Sequence, residues 1–255
     1  MNITIAWFSG TGNTLRAARE LAAKVDGPGR NVELADMARN EKGGNNQVIC
    51  FPVYGFGPPG IVRRYIKDLE DGGGKAWLLC TMGGGAGSAL RVTSRLLSKK
   101  GWTVPGGAEL LMPNNYPMGR LPGDVDRLVT EAVEKVQLFG ETIAGGNGNR
   151  LPGNWFTAGF SLAFNAGMEL NRSRARKSFS VNESCTSCHL CRRVCPTENI
   201  SLPQGLPVWG RDCEQCLRCL NVCPEYAISY MKCREKGRPQ YLEPELDLSR
   251  LLLRK

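Results

Sequence analysis

Eight of the eleven cysteines carry the most legible chemistry in this chain. Cys185, Cys188, Cys191 and Cys195 precede Pro196, and Cys213, Cys216, Cys219 and Cys223 precede Pro224, so one C-x2-C-x2-C-x3-C-P run is written twice. In such a run three thiolates sit on one tight loop and wrap a corner of an iron–sulfur cube, while the fourth lies a helical turn away and serves the other cube. By that rule one cluster takes Cys185, Cys188, Cys191 and Cys223, and the other takes Cys213, Cys216, Cys219 and Cys195. A zinc site made from two C-x2-C pairs has no use for the third cysteine or the proline. A disulfide framework needs an oxidising compartment, to which nothing in the sequence points.

A second constellation opens the chain. The β-branched and aromatic run Ile3 to Phe8 ends abruptly in Ser9-Gly10-Thr11-Gly12-Asn13-Thr14, after which Leu15, Ala18, Leu21, Ala22 and Val25 recur with helical spacing. A strand, a polar glycine loop and a helix in that order offer backbone N–H groups, hydroxyls and a helix N-terminus to a phosphate monoester. The loop lacks the lysine of a Walker loop, and Leu15 stands where a G-x-G-x-x-G pattern needs its third glycine.

The Cys185 to Pro224 segment, with Asn199-Ile200 and Ala227-Ile228 after its two runs, resembles a bacterial-type ferredoxin holding two [4Fe–4S] clusters. Ser9, Thr11, Gly12, Asn13 and Thr14 match the flavodoxin loop [ST]-x-T-G-N-T that holds the FMN phosphate. Taken together, the chain resembles the flavodoxin-like/ferredoxin fusions of anaerobic bacteria and archaea. The resemblance implies FMN and two [4Fe–4S] clusters as cofactors, and it implies which loops border the flavin. These are Ser9 to Thr14, including Gly10; Pro52, Val53, Tyr54, Gly55 and Phe56 after the third strand; Thr81, Met82, Gly83, Gly84 and Gly85 after the fourth; and Asn115 with Tyr116 after the fifth. Tyr54 and Phe56 suit stacking on a ring, and the glycines let backbone approach its edge.

The elements that must position these loops follow from alternation. Val32-Glu33-Leu34, Gln47 to Phe51, Ala76 to Cys80 and Ala108 to Met112 read as strands two to five. Ile61 to Leu69, Ser88 to Lys100 and Val125 to Ile143 read as helices. This predicts an α/β flavodoxin-like fold, a five-stranded parallel sheet of order 2-1-3-4-5 with helices on both faces, followed by a small α+β dicluster ferredoxin domain. Met37 to Asn46 is too glycine- and asparagine-rich for a full helix. The expected domains are residues 1–146, a linker with an interface helix at 147–177, and 178–255. The apolar Trp155 to Met168 stretch reads as that helix, and Phe179-Ser180-Val181 as the strand opening the second domain.

Composition limits the alternatives. With 42% hydrophobic and 22% charged residues the chain builds an ordinary core, and no run approaches the length of a spanning helix. No leader pattern is visible at Met1 to Ser9, so a cytoplasmic protein is expected. The formal net charge is +9. Bound clusters and a flavin phosphate would reduce it to about +3, without the concentrated stripe that nucleic acid requires. The run Arg172-Ser173-Arg174-Ala175-Arg176-Lys177 reads as a solvated linker edge, or as a docking patch for an acidic ferredoxin or flavoprotein partner. His189 stands amid a complete cysteine set and is not needed as a ligand. Cys50 and Cys80 suit packing, Cys233 has no partner at ligand spacing, and no nucleophile–base pair is present. The reading is therefore an electron-transfer protein joining FMN to two clusters. Its alternatives are an FMN-dependent reductase of a small acceptor fed by the clusters, and a ferredoxin with a docking domain that binds no flavin.

Overall fold

The computed structural model describes residues 2–116, 124–152, 158–231 and 240–253. Its first half is a parallel sheet of β1 (Asn2–Trp7), β2 (Asn31–Asp36), β3 (Asn46–Pro52), β4 (Lys75–Met82) and β5 (Gly107–Leu111), in the order β2-β1-β3-β4-β5. The expected strand order is therefore observed. β1, β3 and β4 are buried along nearly their whole length, which is why they read as continuous apolar runs rather than as alternation. β2, at the sheet edge, keeps Glu33 exposed.

Helices α1 (Asn13–Val25) and α4 (Val125–Ala144) cover one face, where Leu15, Leu21, Val136, Phe139 and Ile143 pack on Ile3, Ile5, Val48 and Leu79. Helices α2 (Gly60–Lys67) and α3 (Ala89–Lys99) cover the other, where Ile61, Ile66, Leu90 and Leu97 pack on Phe8, Ile49, Phe51 and Leu78. Cys216, from the far end of the chain, belongs to this second core. Between β2 and β3 there is only a 3-10 turn, Met37–Arg39, started by the Asp36 side chain accepting from the Ala38 amide. The helix expected to be reduced there is indeed reduced.

Helix α5 (Ala158–Asn171) and a 3-10 segment, Arg172–Ser178, lead into the remainder. This helix runs three residues past Met168, the end expected of an interface helix, while Trp155 to Thr157 lie outside the described residues. The remainder contains β6 (Phe179–Val181), α6 (Leu190–Arg193), β7 (Ile200–Ser201), β8 (Val208–Trp209), α7 (Arg218–Asn221) and β9 (Ile228–Tyr230). β6 pairs with β9 and β7 with β8, both antiparallel. Each cysteine run turns into its one-turn helix through a left-handed residue, His189 at φ 65° and Leu217 at φ 55°. The repetition in sequence is thus a repetition in backbone.

Residues 240–253 return to the first half. The Glu243 amide donates to Thr11 O at 2.8 Å, the Tyr241 hydroxyl to Asn13 Oδ1 at 2.7 Å, and the Leu253 amide to Arg193 O at 2.9 Å. Among the described residues no helix is long and apolar enough to cross a membrane.

Candidate functional site

A cavity of about 750 Å³ opens beyond the carboxyl ends of β1, β3 and β4, the switch point at which open α/β sheets receive ligands. Its volume is that of a ligand pocket. Seventeen of the eighteen residues expected to border a flavin line it, the exception being Gly12. Gly12 instead makes the turn into α1 at φ 106°, with Glu243 and Leu246 against it. The α1 N-terminus carries no side-chain cap, so its first-turn amides, which have no intrahelical acceptors, remain for an anion. Behind them the Ser9 hydroxyl accepts from the Gly12 amide at 3.0 Å, and the Thr14 and Thr81 hydroxyls share a buried hydrogen bond of 2.8 Å. Asn115 Nδ2 donates to Thr11 Oγ1 at 3.2 Å, which ties the fourth loop to the first.

The opposite wall was not foreseeable from the loops. α5 contributes Phe164 and Met168, the second cysteine run contributes Gln215 and Leu217, and β9 with the residue after it contributes Tyr230 and Met231. A polar, amide-rich end and walls of Tyr54, Phe56, Met82, Met112 and Tyr230 fit an amphipathic cofactor with a phosphate at one end and a flat ring at the other.

The cysteines gather in the crossed sets. One cavity is lined by Cys185, Cys188, Cys191 and Cys223, and another by Cys195, Cys213, Cys216 and Cys219. Among the described residues no three His, Cys, Asp or Glu side chains converge closely enough to hold a single metal ion, and all ten described cysteines are free. Burial is the leading cause pushing three of the thiols up, Cys191 to about 11, Cys213 to about 12 and Cys216 to about 11, and sulfurs of the same set add to it. Four cysteines of each set face one cavity, a donor set that fits a metal–sulfide cluster held by four thiolates.

The two sets differ in surroundings. Cys188 is exposed, whereas Cys195, Cys213, Cys216 and Cys219 are at most 8% exposed. Two donors stand beside the buried set: Trp209 Nε1, directed at the Cys219 sulfur, and the Tyr54 hydroxyl, which has no hydrogen-bond partner among the described residues. Tyr54 is held neutral chiefly by burial, and Cys216, Glu214 and Cys213 add to that effect. A donor at one sulfur and an orphaned hydroxyl beside the ring of thiols are what a cluster's sulfurs would satisfy. Glu214 fastens this loop to the rest: its buried Oε1 accepts from Arg64 of α2 at 2.8 Å and from Arg172 at 2.9 Å.

Other candidates separate from the site. Cys50 and Cys80 are fully buried in the two sheet cores, and His189 is exposed. Cys233 lies outside the described residues. The basic run divides: Arg172 makes the Glu214 ion pair, Arg174 lines the large cavity, and Arg176 and Lys177 are exposed. Sequence reasoning missed Arg218, Tyr241 and Glu243. No local pattern marks them, because each acts on a loop more than two hundred residues away.

No protein-family model matches the chain, and no curated protein matches it. Among solved structures, flavodoxin-like folds cover about half of it. Two-electron reduced Megasphaera elsdenii flavodoxin is 25% identical, with 52% of this chain and 98% of that chain covered and a TM-score of 0.38. Flavodoxin 2 from Bacillus cereus is 17% identical, with 57% and 99% covered and a TM-score of 0.42. A flavodoxin from the domain Archaea is 12% identical, with 56% and 99% covered and a TM-score of 0.41.

Proposed function

We propose that the protein is an electron-transfer flavoprotein in which FMN, in the large cavity, exchanges electrons with two [4Fe–4S] clusters. The clusters would be held by Cys185, Cys188, Cys191 and Cys223, and by Cys195, Cys213, Cys216 and Cys219. The observation that carries this reading is a shared wall. Gln215 and Leu217, which lie between cysteines of the buried set, also line the cavity entered by the Ser9 to Thr14 loop. The buried set is then the one beside the flavin, and the exposed set faces external redox partners.

When bound, these groups supply one-electron chemistry at the clusters and two-electron chemistry at the flavin. The chain's own residues do the rest. The α1 N-terminus and the Ser9 to Thr14 loop hold the phosphate, and the Thr14–Thr81 pair braces that loop against β4. Tyr54, Phe56 and Tyr230, which line the cavity, would border the ring. Glu214, with Arg64 and Arg172, holds the buried cysteine loop in register with the cavity. Exposed Arg176, Lys177 and Arg192 suit docking of an acidic ferredoxin or flavoprotein.

Cys195→Ser tests the order. With dithionite as donor, the variant should retain a reducible cluster from the Cys185 set and show slowed flavin bleaching; Cys188→Ser should lose that cluster and keep the other. Loss of the Cys185 cluster in Cys195→Ser would contradict both the crossing and the order.

A reductase reading has one observation in its favour. Phe160 and Phe164 of α5 stand exposed with their rings 6.2 and 5.5 Å from that of Phe56, a residue of the cavity wall, where a flat acceptor could stack. Turnover with a quinone would support it.

A further inference from the structure

Arg218 is required by neither cofactor on its own. It stands one residue before Cys219, where the first run has Leu190 before Cys191. Its side chain is 1% exposed, so a guanidinium, which does not shed its charge, lies inside the protein. Nε donates to Gly10 O at 3.2 Å and Nη2 to Ser9 O at 2.5 Å. Nη1 donates to Val194 O at 2.9 Å and to Leu251 O at 3.3 Å. The group lies over the Phe8 ring, 5.7 Å from its centroid. Among the described residues no carboxylate forms an ion pair with it; Asp36 feels its charge without pairing.

Carbonyl oxygens solvate a guanidinium but do not neutralise it, and a buried unpaired charge is strongly unfavourable. Cysteines of the buried set surround it: Cys219 follows it in the chain, Cys216 lies two residues before it, and Val194, whose carbonyl it holds, precedes Cys195. A [4Fe–4S] core with four thiolates is anionic in both redox states and gains one further negative charge when it accepts an electron. The two acceptors Ser9 O and Gly10 O belong to the loop whose amides meet the cavity.

We propose that Arg218 is a positioning residue with two linked tasks: its charge is the counter-ion of the cluster on Cys195, Cys213, Cys216 and Cys219, and its N–H groups fix the Ser9 and Gly10 carbonyls so that the loop's amides face the flavin phosphate. The inference rests on the cofactor reading above. A fixed positive charge stabilises the reduced cluster, so it raises that cluster's potential, while the cluster beside Leu190 lacks the effect. The same side chain links cluster and flavin sites energetically without touching the flavin.

The test compares wild type, Arg218→Met and Arg218→Lys after anaerobic reconstitution, with iron, sulfide and FMN counted first. Redox titration followed by magnetic resonance should show one cluster's midpoint falling in Arg218→Met and the other unmoved. FMN should bind about tenfold more weakly, the loss of roughly one charge-assisted contact set. Arg218→Lys keeps the charge but cannot reach four carbonyls, so its potential should stay near wild type while FMN binding weakens. If Arg218→Met does not fold, the lysine variant decides: wild-type FMN affinity in it overturns the proposal. Equal shifts in both clusters, a shift confined to the cluster that survives in Cys195→Ser, or unchanged FMN affinity in Arg218→Met also overturns it. A wild type that takes up neither clusters nor FMN sinks the cofactor reading instead.

Discussion

Gly10→Ala probes the shared wall where the first loop meets the second cysteine run. A Cβ on residue 10 would stand 2.6 Å from the Tyr54 hydroxyl oxygen, 2.9 Å from Cys216 O and 3.2 Å from Asn115 Nδ2. Cys216 O is backbone and cannot swing aside, and the Tyr54 hydroxyl is buried. Relief therefore requires the phosphate loop and the buried cysteine loop to part by some tenths of an ångström. Overpacking of this kind costs about 1–3 kcal/mol. If that cost falls on the arrangement that receives the phosphate, the FMN dissociation constant rises by a factor of about 5–150. Fluorescence titration of flavin-free protein with FMN measures it. Gly44→Ala is the control, since nothing lies within 4 Å of its added Cβ. FMN binding by Gly10→Ala within about twofold of wild type, a difference of some 0.4 kcal/mol, would refute the shared wall.

Mild ferricyanide oxidation should strip the cluster on Cys185, Cys188, Cys191 and Cys223 first, because Cys188 is exposed and the other set is at most 8% exposed; iron should be lost in two unequal phases, and a single phase would contradict the difference in burial. Asp36 makes a pH prediction. Burial raises its pKa to about 6 from an ordinary 3.8, with the Ala38 amide and the charges of Arg218 and Arg39 opposing. The unfolded chain keeps the ordinary value, so the folded state binds this proton more tightly, and the residue's contribution to stability grows as pH falls through 6. The melting temperature of wild type relative to Asp36→Asn should therefore rise between pH 7 and pH 5, and a pH-independent difference would contradict the assignment.

The sheet was legible because its central strands are buried on both faces and its helices carry apolar stripes, both properties of short windows. The two cysteine sets were legible because each rests on a short, regularly spaced run. What escaped the sequence depends on distant pairings. Leu190 and Arg218 occupy equivalent places in two runs of the same cysteine spacing, and only folding leaves one half-buried beside Cys191 and puts the other under the Ser9 to Thr14 loop. The lid of Phe164 and Met168 came from a helix whose composition showed packing but not its object. Arg172 looked like part of a charge run until Glu214, forty-two residues on, was found to be its partner. Residues 240–253 showed no motif at all, yet they brace Thr11, Asn13 and Arg193.

The central claim is that one chain brings a flavin site and two crossed cysteine sets together. Anaerobic purification or reconstitution followed by chemical analysis tests it most directly. The account predicts about eight iron, eight sulfide and one FMN per chain, with Cys195→Ser retaining about half the iron. Zinc in place of iron and sulfide, or clusters without any bound FMN, would contradict it.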